Sequence, residues 1–404
     1  MSINGLRVAF VQPIIDPVRD AWFRQLAADA RVQLRVFALS RQLAHRPGWE
    51  SRSDAGYPVE FVLSVRIARP LLLPWRRRAP LTMRIVPLDL VWRVCRYRPH
   101  AIVVTNATQL VQACIVRALC GARVVLSAED TSVSMSRLGK TRRLLKVGSL
   151  RRADAYCAHS DAARDLLLGL GVPAERVVPT PWAVDNEKFA AWAAASDVTG
   201  TRRRFQLDDR IVFVTVASLI PRKGIDHLLS SWGMVPKSLR DRASLLIVGE
   251  GPERERLVRM AEASAVDNVR FLGHLPAREV ADCLAAADVF VLPTLEDVWG
   301  LVVNEAMATG LPVLCSKYAG SSELVHDSED GFVFDPFDHA TLCRLLIRMI
   351  EDRGALADMG RRSRQIISGV TIRASARALM EALYRSTGTP LPPEAVQRAT
   401  GRGR

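Results

Sequence analysis

The stretch LEDVWGLVVNEAMATGLPVL, residues 295–314, sets two carboxylates, Asp297 and Glu305, eight residues apart in an otherwise almost wholly apolar run. Leu301, Val302, Val303, Ala306, Met307 and Ala308 leave the helix that opens at Gly300 and stops at Gly310 hardly any polar face, so it reads as a buried helix. An ionised Glu305 there costs several kcal/mol unless something pairs with it. Two kinds of partner would serve. One is structural, a backbone group or an arginine. The other is a ligand diol, because one carboxylate accepts from two neighbouring ribose hydroxyls. The helix start at Gly300 and Leu301, meanwhile, turns free N–H groups and a positive dipole end toward a phosphate. Phosphate at the start and ribose one turn further in describe a nucleotide.

Two further features point the same way. In ASLIPRKGIDHLL a strand ends and Arg222 and Lys223 precede Gly224 and a helix, so a planar fork and a point charge stand where a diphosphate would need them. In VGEGPERERL, Gly249 and Gly251 allow a tight strand-to-helix turn with close backbone approach, without completing a dinucleotide fingerprint. Each has a plain alternative, a solvated basic pair and an ordinary βα turn.

The elements that must hold these residues follow from the hydrophobic pattern. Short β-branched runs (LRVAFV, VQLRVFAL, AIVVT, RVVLS, DAYCA) alternate with helical patterns, and the series restarts with IVFVTVASL, ASLLIVG, VRFLG, DVFVLPT and LPVLC. Strands that read as continuous apolar runs between helices predict parallel sheets covered on both faces. In such sheets ligands sit beyond the carboxyl ends of the strands, which is where all three features fall. Between the two series, VVPTPWAVDNEKF lacks a period and reads as a linker. The expected organisation is α/β, with two facing Rossmann-like domains. An N-terminal domain covers 1–180 and a second covers 181–365. A C-terminal helix over 366–387 packs back towards the N-terminal domain, and a Pro/Gly-rich disordered tail covers 388–404.

A chain of 404 residues suits two cores. Residues 1–180 hold 28 Lys+Arg and 13 Asp+Glu, a balance of +15, and the remaining 28 and 29 give −1. The asymmetry points to an anionic partner of the first half. Seven scattered cysteines without C-x-x-C spacing argue for reduced thiols. No Asp-x-Asp occurs and the seven histidines form no ligand cluster, so no metal is expected to bridge a diphosphate. The first residues read as a strand and not as a signal peptide, and no run is apolar enough to span a membrane, so a cytoplasmic location is expected.

Taken in order, RKG, VGEGPE, FLGHLP, PTLEDVWGLVVNEAMATGLPVL and GSSELVHDSEDGFVF resemble the retaining glycosyltransferases of family 4, with the GT-B fold. The resemblance is dense from about 176 to 335. It implies that Glu305 takes the ribose hydroxyls of a nucleotide diphosphate sugar, that Asp297 binds the transferred sugar, and that Arg222 and Lys223 hold the diphosphate, with Gly249, Gly300 and Leu301 lining the donor site. It also implies transfer of a hexose to a glycan or lipid-linked acceptor with retention, metal-free, Asp297, Lys223 and Arg222 being the catalytic set. Three departures stand out. Asp297 replaces the usual Glu, VQPIIDPVRDAW lacks the usual glycine-rich loop after the first strand, and Glu129 and Asp130 replace a histidine, which makes them the acceptor-side candidates. A glycosidase has no use for the basic pair. A GT-B sugar-nucleotide epimerase or hydrolase is the nearer alternative, and a nucleic-acid-binding module lacks interleaved aromatics, so no nucleic acid is expected. Two basic segments, 68–81 with Arg76, Arg77 and Arg78, and 136–152, suggest that the first domain meets an anionic membrane surface.

Overall fold

The computed structural model describes residues 5–41, 55–68, 83–136, 139–207, 209–263 and 268–390. The chain divides into two compact units, residues 1–181 with those from 372 onward, and residues 182–371.

The first unit contributes β1 (Leu6–Gln12), β2 (Val32–Ala38), β3 (Val59–Phe61), β4 (Ser64–Ala68), β5 (Met83–Pro87), β6 (Ala101–Val104), β7 (Arg123–Ala128), β8 (Ala155–Ala158) and β9 (Val177–Pro179). Seven of these form one parallel sheet in the order β3-β2-β1-β6-β7-β8-β9, and β4 and β5 form a separate antiparallel pair. The strand order reverses between β1 and β6. Asp16 caps the helix Pro17–Ala27, accepting from the Arg19 amide, and Asn106 does the same for the helix Ala107–Cys120 through the Gln109 amide. The last helix, Ile372–Thr387, packs on β7, β8 and β9 of this unit, and its Arg385 donates to the Glu175 carbonyl at 2.7 Å.

The second unit holds β10 (Ile211–Val216), β11 (Ala243–Val248), β12 (Val269–Gly273), β13 (Val289–Leu292), β14 (Val313–Ser316) and β15 (Gly331–Phe334), all parallel, in the order β12-β11-β10-β13-β14-β15. Every residue of β11 and β13 is buried, which is what an apolar run without alternation requires of a strand covered on both faces. The reversal lies between β10 and β13, so the crevice opens beyond their carboxyl ends.

The stretch expected to be an aperiodic linker holds more structure than its prolines suggest. Residues 177–179 are strand β9, and Asn186 opens a helix to Ala194, which leaves only 180–185 irregular. Pro179 is tolerated because β9 is an edge strand, where one side of the backbone needs no N–H. Of the basic segments, 136–152 contains the helix Lys140–Leu150, whereas 68–81, beyond Ala68, and the tail beyond Pro390 lie outside the described residues. No helix among the described residues is long and apolar enough to cross a membrane.

Candidate functional site

Beyond β10 the chain makes one tight turn, Pro221–Lys223, closed by Gly224 at φ +65°. A Cβ on Gly224 would lie 2.1 Å from the Pro293 carbonyl oxygen, so only glycine lets this turn press against the exit of β13. The two loops are then tied by backbone. The Arg222 carbonyl accepts from the Leu295 amide at 2.8 Å and from Thr294 Oγ1 at 3.0 Å, and Arg222 Nη1 donates to the Glu296 carbonyl at 2.9 Å. Lys223 Nζ meets Asp297 Oδ2 in an ion pair whose side chains are 14% and 15% exposed. Three of the residues singled out in the sequence, Arg222, Lys223 and Asp297, are thus brought together, with Lys223 and Asp297 74 positions apart in the chain. The other flank is fixed too: the Asp297 amide donates to Tyr318, and the Gly320 and Ser321 amides donate to Asp297 and Trp299.

Gly300, at φ +97°, opens the helix Leu301–Thr309, and a Cβ there would stand 2.8 Å from Leu292 Cδ2. The Val303 amide donates to the Gly300 carbonyl at 2.9 Å, and the Leu301 and Val302 amides have no acceptor within the helix. One turn in, Glu305 is half-buried, and no hydrogen-bond or ion-pair partner for its carboxyl is found among the described residues. The structural alternative, a bond to backbone or to an arginine, is absent there. Burial alone pushes this carboxyl up to about 8. A desolvated carboxyl without a partner, one turn behind a helix start, can accept from a polar ligand.

Gly249 has a packing role. At φ +139° it follows β11, and a Cβ would fall 1.9 Å from the Ala217 carbonyl oxygen. The turn lies on the segment leading to Arg222, with the Leu219 amide donating to Glu250 at 2.9 Å and the Glu253 amide to Leu219 at 3.0 Å.

Glu129 and Asp130 belong to the first unit, just past β7. Arg19 bridges Glu129 Oε1 at 2.5 Å and Asp16 Oδ2 at 2.6 Å, and Lys146 Nζ holds Asp130 Oδ1 at 2.5 Å. Burial raises the Glu129 carboxyl above the usual range, with Arg19 acting against it. Both acids are therefore already ion-paired.

Residues 199–366 match the family described as Glycosyl transferases group 1, and residues 20–183 match the Glycosyl transferase 4-like domain. The chain belongs to the family 4 glycosyltransferases. Among curated relatives, this glycosyltransferase is 33% identical over 247 residues to a GDP-mannose-dependent alpha-(1-6)-phosphatidylinositol monomannoside mannosyltransferase of Mycolicibacterium smegmatis, covering 59% of this chain and 63% of that one. It is 30% identical over 260 residues to the protein of the same description from Mycobacterium tuberculosis, covering 62% and 66%. The chain thus spans less than two thirds of the length of these relatives. Among solved structures, HepE of Anabaena in complex with UDP superposes with a TM-score of 0.74 at 20% identity, over 94% of this chain and 99% of that one, a likeness of fold. The glycosyltransferase has the GT-B fold, two Rossmann-like units with parallel sheets.

Sequence reasoning missed Asn304. It is fully buried; its Oδ1 accepts from Trp299 Nε1 at 2.7 Å and its Nδ2 donates to the Trp182 carbonyl at 3.0 Å. Asn304 thereby fixes the residue just before Gly300 and, with it, the helix start. The available signal was a second polar residue beside Glu305 in an apolar helix. His159, one position past β8, is a core residue: Ser127 Oγ and the Thr180 carbonyl each lie 2.6 Å from its ring nitrogens, and burial holds it down at about 3, hence neutral.

Proposed function

We propose that this glycosyltransferase moves a mannosyl group from GDP-mannose to a lipid-linked, hydroxyl-rich acceptor, with retention of anomeric configuration and without a metal ion. The observation that carries the reading is Glu305, an unpartnered half-buried carboxyl one turn behind the helix start at Gly300. A ribose diol supplies the two donors it lacks. The amides at Gly300 and Leu301 take the diphosphate by the helix-start geometry. Arg222 and Lys223 take up the negative charge that grows on the diphosphate as the C1–O bond breaks. Asp297, held by Lys223, orients the hexose. The acceptor hydroxyl attacks C1 on the face the diphosphate leaves, and its proton passes to a leaving phosphate oxygen, so no enzymic nucleophile is needed.

Mannose, the guanosine diphosphate and the lipid acceptor come from what the mycobacterial relatives are named for. The acceptor-side unit carries the charge excess, which supports a cytoplasmic enzyme attached peripherally to an anionic membrane. The test is a transfer assay with labelled GDP-mannose, UDP-glucose and UDP-galactose against a phosphatidylinositol mannoside, with the product's anomeric configuration read by NMR and with EDTA in parallel. Transfer from GDP-mannose alone, with an α-linked product and little effect of EDTA, is the expected result. Release of free mannose at the same rate with and without acceptor would make the protein a hydrolase, and inversion or EDTA inhibition reversed by Mg²⁺ would remove the corresponding part of the reading.

A further inference from the structure

The helix Ala107–Cys120 has two apolar sides, and the sheet uses one. Leu110, Ala113 and Val116 are buried in the first unit's core. Val111, Ile115 and Leu119, four residues apart along the other side, are 54%, 47% and 67% exposed. The helix Lys140–Leu150, packed against it, leaves Leu144 74% exposed. A groove of about 310 Å³ runs beside this stripe, lined by Cys114, Ala118, Ser149 and Arg152 among others. The helix Leu90–Tyr97, which also packs on Ala107–Cys120, exposes Trp92 beneath the Arg96 guanidinium, 5.5 Å from the ring centroid. Single exposed apolar side chains are ordinary, but the Val111, Ile115 and Leu119 stripe along a groove, with further exposed apolar side chains on both helices packed against it, marks a surface that something covers.

The charge on the same helices says what kind of surface that is. LVWRVCRY, ATQLVQACIVRALC and KTRRLLKVGSL contain two, one and four basic residues and no acidic one. Arg117 is neutralised by Asp154, at 3.3 Å. Arg143, Arg151 and Arg152 are exposed and have no carboxylate partner among the described residues. A second copy of this chain would set these arginines against their own kind across a two-fold axis, with no acid on the helices to answer them. The segment 69–82 is no better an occupant, since it carries Arg69, Arg76, Arg77 and Arg78 and no acid. An apolar stripe with an unanswered cationic border fits a lipid bilayer with anionic headgroups.

We propose that the outer face of the helices Leu90–Tyr97, Ala107–Cys120 and Lys140–Leu150 docks on an anionic bilayer, with Val111, Ile115, Leu119 and Leu144 entering the acyl boundary and Arg143, Arg151 and Arg152 on headgroup phosphates. The evidence for this face is independent of the reaction, though its use rests on the lipid-linked acceptor of the proposed function. Co-sedimentation of the full chain with phosphatidylcholine vesicles, with and without phosphatidylglycerol, tests it. Binding is expected to the anionic vesicles and not to the neutral ones. Replacing Arg143, Arg151 and Arg152 with Ser weakens binding about fivefold per charge, on the order of a hundredfold together, and flattens the salt dependence. The triple variant Val111→Ser, Ile115→Ser, Leu119→Ser loses roughly tenfold or more and keeps the salt dependence. Thermal unfolding and GDP binding of both variants match the parent, because the replaced side chains are exposed.

No binding to either vesicle, or a serine variant that binds like the parent, overturns the proposal. A mass that doubles with concentration in light scattering, abolished by the apolar variant, overturns it in favour of a second copy. Sedimentation without mannosyl transfer would strike the proposed reaction alone; transfer to a deacylated acceptor by a protein that ignores vesicles would strike the docking face alone.

Discussion

Beyond the carboxyl ends of their strands the two units hold their charged residues in different ways. In the second unit the loops after β10 and β13 are joined main chain to main chain, through the Arg222 carbonyl and the Leu295 amide, and one carboxyl, Glu305, is left without a partner. In the first unit the acids after β7 are held by side chains alone, Glu129 by Arg19 and Asp130 by Lys146. Main-chain bonds and forced glycines admit little adjustment, whereas ion pairs between long side chains can exchange partners at small cost. On the proposed function, the contrast makes the donor side the more fixed of the two and the acceptor side the one that rearranges to take its substrate.

Removing charge from the fixed side should have the largest effect. Lys223→Ala is expected to lower kcat by about 10²–10³-fold, roughly 3–4 kcal/mol, with a smaller change in donor KM. Steady-state kinetics decide it, and an unchanged kcat would leave Lys223 as a mere tether for Asp297. Next comes the backbone itself. Gly224→Ala must relieve both φ +65° and the 2.1 Å approach to Pro293, and should cost about 2–3 kcal/mol in denaturant unfolding. Gly121→Ala, in the first unit at φ +73° with nothing within 4 Å, should cost only about 1 kcal/mol. Equal costs would mean that the close approach is not what makes the donor side rigid.

Glu305→Gln should weaken GDP binding about tenfold by calorimetry. Burial raises the Glu305 carboxyl to about 8, above its unfolded value, so its contribution to stability is fully present below the unfolded pKa and is lost as pH rises through 8. The Gln variant should therefore gain about 1–3 kcal/mol on the parent at pH 9 and nothing at pH 4. A diol that donates to the carboxylate favours the ionised form, so GDP binding near pH 7 should release a proton, seen as a buffer-dependent enthalpy. Binding without proton release, in parent and variant alike, would break the link between Glu305 and the ribose. The smallest effect belongs to the adjustable side: Glu129→Gln should change acceptor KM by about two- to fivefold and leave GDP affinity untouched. A shift in GDP affinity would mean that the two sides are not separable.

The second unit was the more readable from sequence because its information is local. Gly300, Gly310 and the apolar run between them mark one helix, and the strands of this unit carry uninterrupted apolar runs. What local pattern does not hold is who meets whom. The Lys223–Asp297 ion pair joins positions 74 apart, and nothing in either segment names the other. Strand β9 was hidden because prolines read as a linker unless the strand is known to lie at a sheet edge. The helix Ala107–Cys120 is apolar on two sides, so periodicity alone does not say whether Val111, Ile115 and Leu119 face the sheet or the outside. Asn304 is, by sequence, only a second polar residue in an apolar helix; its importance appears once Trp299 and the Trp182 carbonyl are beside it.

The stitching of the donor loops also has a signature in amide hydrogen exchange. Segment 293–300 and the short turn that begins at Gly320 lie outside the strands and longer helices, yet the amides of Leu295, Asp297, Gly320 and Ser321 all point into carbonyls of neighbouring segments. Such amides exchange only when the segments that hold them come apart. Deuterium should therefore enter these positions on the timescale of the flanking strands β13 and β14. That slow labelling would set them apart from a mobile lid.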